Sequence, residues 1–156
     1  VNELFDLCDM DYYPVYCVHH KYEPKNKTKM DGKEQHHYNR KNWSSLMMFN
    51  CGHSENRKLT PEVVNTQTGR WLHSFGWLPD KEADIGRIPE EWTWLDRHSP
   101  EDMDAKNVHF TTGGPWFSKW KPRGTTEGKY AVKWCEDARW LQMKGIIPKE
   151  KDYLIA

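Results

Sequence analysis

Apolar residues in this chain come in short bursts rather than long periodic runs. In VNELFDLCDMD (1–11), Leu4, Leu7 and Cys8 recur at helical intervals and predict a helix. YPVYCVHH (13–20) is rich in β-formers and predicts a buried strand. SLMMFNC (45–51) is short and continuously apolar, which predicts a second, internal strand. NVHF (107–110) predicts a third strand, which runs directly into a glycine pair. Thr60 followed by Pro61 and Glu62 marks a helix start, and the helix is expected through PEVVNTQTGRWLHSF with a weak spot at Gly69. YAVKWCEDARWLQM (130–143) predicts a second long helix, with Trp134 and Trp140 flanking its apolar face.

The polar stretches separate these bursts. Residues 21–41 show no apolar periodicity and predict a long exposed loop, which in a compact domain is functional or mobile. Residues 78–95 are punctuated by Pro79, Gly86 and Pro89 and predict a turn-rich segment ending in Trp92 and Trp94. Strands and helices therefore mix in an α/β order. In such folds ligands bind outside the carboxyl ends of strands, which draws attention to the loop after NVHF.

Length and composition add bounds. The 156 residues fit one domain, 1–156, closing with a C-terminal helix and tail over 130–156. Aromatics make up 13%, including nine Trp, which argues against disorder and for aromatic-lined pockets. Formal net charge is zero, so bulk charge announces neither a nucleic-acid nor a membrane partner. The sign is uneven, however. Residues 21–41 carry seven Lys/Arg against three acids, and residues 80–104 carry nine acids against three Lys/Arg. The simplest reading is two solvated faces. The four cysteines form no CxxC pair, and there is neither a signal peptide nor an apolar run near 18 residues, which together suggest a reduced, cytoplasmic setting.

Chemistry concentrates in VHFTTGGPWFSKWKP (108–122). A strand-end His109 is held rigidly and can ligate a divalent cation or orient a phosphate. Gly113 and Gly114 expose backbone N–H groups to an anion. Trp116 can wall a pocket, while Lys119, Lys121 and Arg123 can neutralise phosphate charge. Other clusters carry less. Adjacent strand histidines such as His19 and His20 point to opposite faces, so they do not share one zinc ion easily. His36-His37 and Cys51-Gly52-His53 complete no four-ligand set.

The stretch His109-Phe110-Thr111-Thr112-Gly113-Gly114-Pro115-Trp116 resembles the C-terminal motif of family 8 glycosyltransferases, the group that includes glycogenin. That motif reads His-Phe/Tyr-x-Gly-x-x-Lys-Pro-Trp. The spacing here is one residue shorter, and Gly114 stands in the place of the motif Lys. NWSSLMMFN (42–50) resembles the family's Asn-Ser-Gly-Val-Met-Leu-Phe-Asn strand, and GRIPEEWTWL (86–95) its Leu-Pro-x-x-Trp-Asn-x-Leu segment. The resemblance implies a nucleotide-diphospho-sugar transferase (GT-A, Rossmann-like) fold, present in part. It implies a retaining transfer of hexose from a nucleotide-sugar donor, first among them a UDP-sugar, to a saccharide or protein acceptor, with Mn²⁺ or Mg²⁺ as cofactor. His109 would be the metal ligand. Ser44, Ser45, Gly113, Gly114, Trp116 and Lys119 would bind the donor, and Trp43 and Trp92 would stack on sugars. Asp80 would be the catalytic carboxylate near the transferred sugar.

Asp9-Met10-Asp11 matches the family's Asp-x-Asp metal motif literally, but the residues before it read as helix rather than strand. The expectation is therefore that the true motif lies upstream of Val1 and that the chain is a C-terminal portion. Two alternatives come from other classes: a non-catalytic carbohydrate-binding or scaffold domain, and, as a minor one, a nucleic-acid-binding protein using the 21–41 loop.

Overall fold

The structure is a computed structural model that describes residues 2–8, 12–24, 26–79 and 82–148. Among them lie a short helix α1 (Asn2–Asp6), strands β1 (Val15–Cys17) and β2 (Met47–Phe49), helices α2 (Pro61–Thr66) and α3 (Gly69–His73), strands β3 (Gly86–Arg87), β4 (Trp94–Leu95) and β5 (Val108–His109), and the long helix α4 (Thr125–Met143). This is a mixed α/β arrangement with small sheets.

The larger sheet has the order β2-β1-β3. β1 pairs antiparallel with β2, with Tyr16 opposite Met48, and parallel with β3, with Tyr16 opposite Gly86. Alternation along β1 explains why every residue of it is buried. Val15 and Cys17 point into one apolar cluster with Trp43, Phe75, Trp77, Leu78 and Ile85. Tyr16 and Val18 point into a second with Leu4, Cys8 and Ile88. β2 divides in the same way, Met47 and Phe49 to the first cluster and Met48 to the second. A sheet covered on both faces reads as a continuous apolar run, and that is what the sequence shows. β2 nevertheless lies at the sheet edge, not inside it as expected, and β1 is the central strand.

β3 was hidden in the turn-rich segment. Its two residues fall short of a periodic signal, and it forms because Gly86 lets the backbone lie against the Tyr16 ring, where a Cβ would collide. The helix expected over 61–75 is two helices. Gln67 turns to an extended conformation and Thr68 caps a new start, its hydroxyl accepting from Trp71 N–H, as Thr60 does from Val63 N–H at the first. The weak spot is therefore a break, and it falls two residues before Gly69.

β4 and β5 form a separate parallel pair, with Leu95 opposite His109. NVHF thus yields a strand in a two-stranded sheet rather than at a sheet centre. Its exit loop is held from below by Asp96, which is fully buried. Asp96 accepts from Thr111 N–H at 2.5 Å and from the Thr112 hydroxyl at 2.7 Å. α4 starts five residues before the expected helix and buries Ala131, Cys135 and Ala138 at helical spacing. No helix among the described residues is long and apolar enough to cross a membrane.

Candidate functional site

A cleft of about 590 Å³ opens where the chain leaves β1. One wall is the segment His19–Glu23. The other is Tyr38–Lys41 from the end of the polar loop, with Trp43 behind and Arg87 of β3 beside it. Among the described residues, four permanent cations line it, Lys21, Arg40, Lys41 and Arg87, against one carboxylate, Glu23. The excess of Lys/Arg in residues 21–41 is thus not merely a solvated face, since part of it is folded inward.

Lys41 is the unusual member. It is only 7% exposed. Its ammonium donates to the His36 carbonyl at 2.6 Å and lies 5.3 Å from the Tyr38 ring centroid and 5.9 Å from that of Tyr22. Among the described residues it has no carboxylate partner. Burial, and secondarily the Lys29 ammonium, hold its pKa below the usual lysine value. The backbone around it is forced. Arg40 (φ 61°) and Asn42 (φ 67°) both sit in the left-handed region on either side of Lys41. Asn tolerates that conformation, but for Arg it is uncommon and costs about 1 kcal/mol or more. The Arg40 side chain is anchored in turn by donating to the Ser74 carbonyl at 3.0 Å, at the end of α3. The fold therefore spends strain to bring a cation into a cleft already rich in cations, where a buried unpaired charge is costly unless an anion joins it.

Histidines form the floor. His20 is buried, and its ring Nε2 has no hydrogen-bond partner among the described residues. Burial drives its pKa down to about 4, with His109, His98 and His19 adding to the fall. Burial and then Lys29 lower His109 in the same direction. Both rings are neutral at pH 7. The segment His19–Tyr22 also lines a neighbouring cleft of about 340 Å³ with His98 and Leu95, so the two depressions share one wall.

The expected site residues divide between this cleft and its surroundings. Trp43 lines the cleft as a buried wall, with its ring stacked on His19 at 3.9 Å and its Nε1 donating to the His20 carbonyl at 2.9 Å. Ser44 Oγ lies 2.7 Å from His73 Nδ1, and Ser45 Oγ donates to the Asn42 carbonyl at 2.6 Å. His109, Ser45 and Trp116 come together in a second depression of about 440 Å³. Gly113 and Gly114 are covered by the chain itself. The backbone at Gly113 is left-handed (φ 139°) with Met30 packed over it, and a Cβ on Gly114 would fall on the Trp116 indole. Met30 N–H also donates to the Thr112 carbonyl at 3.1 Å, docking the polar loop onto the glycine turn. Lys119 is exposed. Trp92 packs against the second core cluster with the Lys106 ammonium 5.0 Å over its ring. Asp80, Asp9 and Asp11 lie outside the described residues.

Among the described residues, no three His, Cys, Asp or Glu side chains converge where they could hold a metal ion. His109 Nδ1, moreover, is buried without a hydrogen-bond partner, whereas a ligating histidine is oriented by a bond to its other nitrogen. The described residues thus do not assemble a shell for Mn²⁺ or Mg²⁺ around His109.

Residue-by-residue reading overlooked Lys41, Arg40, Tyr38 and Arg87. For Lys41, Arg40 and Tyr38 the one signal was the cationic, aromatic composition of 21–41 ahead of an Asn; Arg87 had none. The left-handed turn that folds it inward leaves no local mark.

Against known proteins, the chain is 52% identical over 126 residues to Protein CDI of Arabidopsis thaliana, an alignment that covers 78% of this chain and 48% of that protein. The chain therefore spans about half the length of the curated relative it matches. No protein-family model matches the chain. No solved structure matches it either. The likeness to family 8 glycosyltransferases is accordingly corrected: its three short motifs, each with a departure from the pattern, do not amount to membership, and the relative found is a protein of another name.

Proposed function

We propose that this chain binds a nucleoside-diphosphate sugar in the cationic cleft and takes part in transfer of its hexose. The observation that carries this reading is Lys41, buried without a carboxylate partner among the described residues, between two left-handed residues and beside Lys21, Arg40 and Arg87. A diphosphate carries the negative charge that Lys41 lacks among the described residues, and charge-assisted hydrogen bonds to phosphate oxygens are strong. Tyr22 and Tyr38 give the same cleft aromatic surface, which suits a nucleoside base.

The chemistry follows from where charge develops. In glycosyl transfer the bond between the anomeric carbon and the diphosphate oxygen breaks, its electron pair leaves with the diphosphate, and an acceptor hydroxyl or water oxygen bonds the anomeric carbon and gives up its proton. Cations placed around that group stabilise the departing charge, and they do so more strongly in a partly enclosed cleft than in water. His20, neutral at pH 7, lines the cleft without adding to its positive charge. The fold counterpart of the proposal is a nucleotide-diphospho-sugar transferase architecture to which the two small sheets would belong.

The test is release of free hexose from UDP-glucose and UDP-galactose in buffer containing Mn²⁺, for the unaltered chain and for Lys41→Met. Slow release by the unaltered chain, falling at least tenfold in the variant, is the expected result. UDP binding with no release from either donor would instead leave a nucleotide-binding domain without transfer activity.

A further inference from the structure

The second depression is built differently from the first. Its walls are Trp116, Trp134 of α4 and Phe110, and its rim is polar: Ser45, Asn107 and His109. The two indoles lie 5.0 Å apart at 44°, and Phe110 meets Trp116 edge-on at 6.0 Å. Both tryptophans are only half-buried. Among the described residues, no lysine, arginine or carboxylate lines this depression, so they offer no counter-charge to an anion. Flat apolar rings beside an amide, a hydroxyl and an imidazole match a neutral ligand with one apolar face and many hydroxyls.

Its position adds meaning. The turn Trp43–Ser45 separates the two depressions, with Trp43 lining the cationic cleft and Ser45 lining the aromatic one. His20 lies in the first and His109 in the second, close enough that His109 depresses the pKa of His20. A ligand in the aromatic depression would thus be adjacent to the site of the diphosphate.

We infer that the Trp116–Trp134 depression is a saccharide-binding subsite, stacking a sugar ring on the indoles and bonding its hydroxyls through Asn107, Ser45 and His109. That its occupant is the acceptor of hexose transfer rests on the proposed function above; that it binds sugar does not. The sequence suggested Trp43 and Trp92 for this role; the structure places Trp43 in the wall of the cationic cleft and Trp92 against the second core cluster.

Saturation-transfer NMR with maltose and with cellobiose tests the inference directly. At least one disaccharide is expected to receive saturation from the unaltered chain, and Asn107→Ala and Trp134→Ala are each expected to weaken its binding about tenfold. Asn107→Ala guards against a folding artefact, because the bonds recorded for Asn107 use its backbone. UDP binding, followed in the same samples, is expected to persist in Asn107→Ala. No transfer to either sugar while UDP still binds would overturn the subsite and leave the cationic cleft standing. Transfer unchanged in both variants would overturn it as well. Sugar binding lost in the variants while UDP never binds would uphold the subsite and remove the nucleotide reading.

Discussion

His20 is the residue in which environment most alters chemistry. It follows the central strand, its Nε2 is buried without a partner among the described residues, and its pKa falls from 6.5 to about 4. A histidine depressed in the folded state contributes stability that is fully present above its unfolded pKa of 6.5. That contribution is lost as the pH falls through about 4, because the unfolded chain takes up the proton more readily. A fall from 6.5 to about 4 corresponds to about 3 kcal/mol. His109, lowered in the same direction, adds to the effect. Urea unfolding between pH 7.5 and pH 4 should therefore show stability falling steeply below about pH 6.5, and His20→Leu should flatten much of that slope. An equally steep slope in the variant would mean that other groups carry the acid sensitivity.

At the scale of elements, α4 depends on one side chain at its start. Gly124 supplies no side-chain cap. Instead the fully buried Glu127 reaches back, with Oε2 accepting from Arg123 N–H and Oε1 from Arg97 N–H at 3.1 Å. One carboxyl group thus closes the helix start and fixes the turn after β4, where Arg97 has φ 64°. Acid near a helix N-terminus also meets the positive end of the helix dipole. Glu127→Ala leaves two N–H groups without that acceptor, at a cost of about 3 kcal/mol, and Glu127→Gln, which keeps one oxygen, should cost about half as much. Thermal melts of the two variants check the ordering. Equal melting temperatures for Glu127→Ala and the unaltered chain would show that water or another group closes this helix end.

This element also shows what sequence reveals. The stretch YAVKWCEDARWLQM marked the helix body over 130–143, but the first turn, Thr125–Lys129, is polar and carries no apolar signal. β1 was legible because both of its faces are buried. β3 and β4 were not, because two-residue strands owe their existence to partners distant in sequence, and no period can form in so short a span. The break at Gln67 was partly legible: a glycine marked the region, but the cap at Thr68 decides the position. The site was the least legible part. Ser45, His109 and Trp116 do meet, yet Lys41 and Trp134 gain their meaning from loops and helices brought together by the whole fold.

For the whole molecule, the account comes down to charge distribution. Formal net charge is zero, but the cations of 21–41 are partly folded into a cleft, beside aromatic rings and the neutral His20. A chain organised in this way should bind an anion through a few specific contacts, and only weakly through long-range attraction. Isothermal titration of UDP into the unaltered chain and into Lys41→Met tests this most directly. One UDP per chain is expected, with affinity falling about tenfold or more in the variant, the loss of one charged phosphate contact worth about 1.5–3 kcal/mol. UDP that binds both proteins equally, or neither, would contradict it.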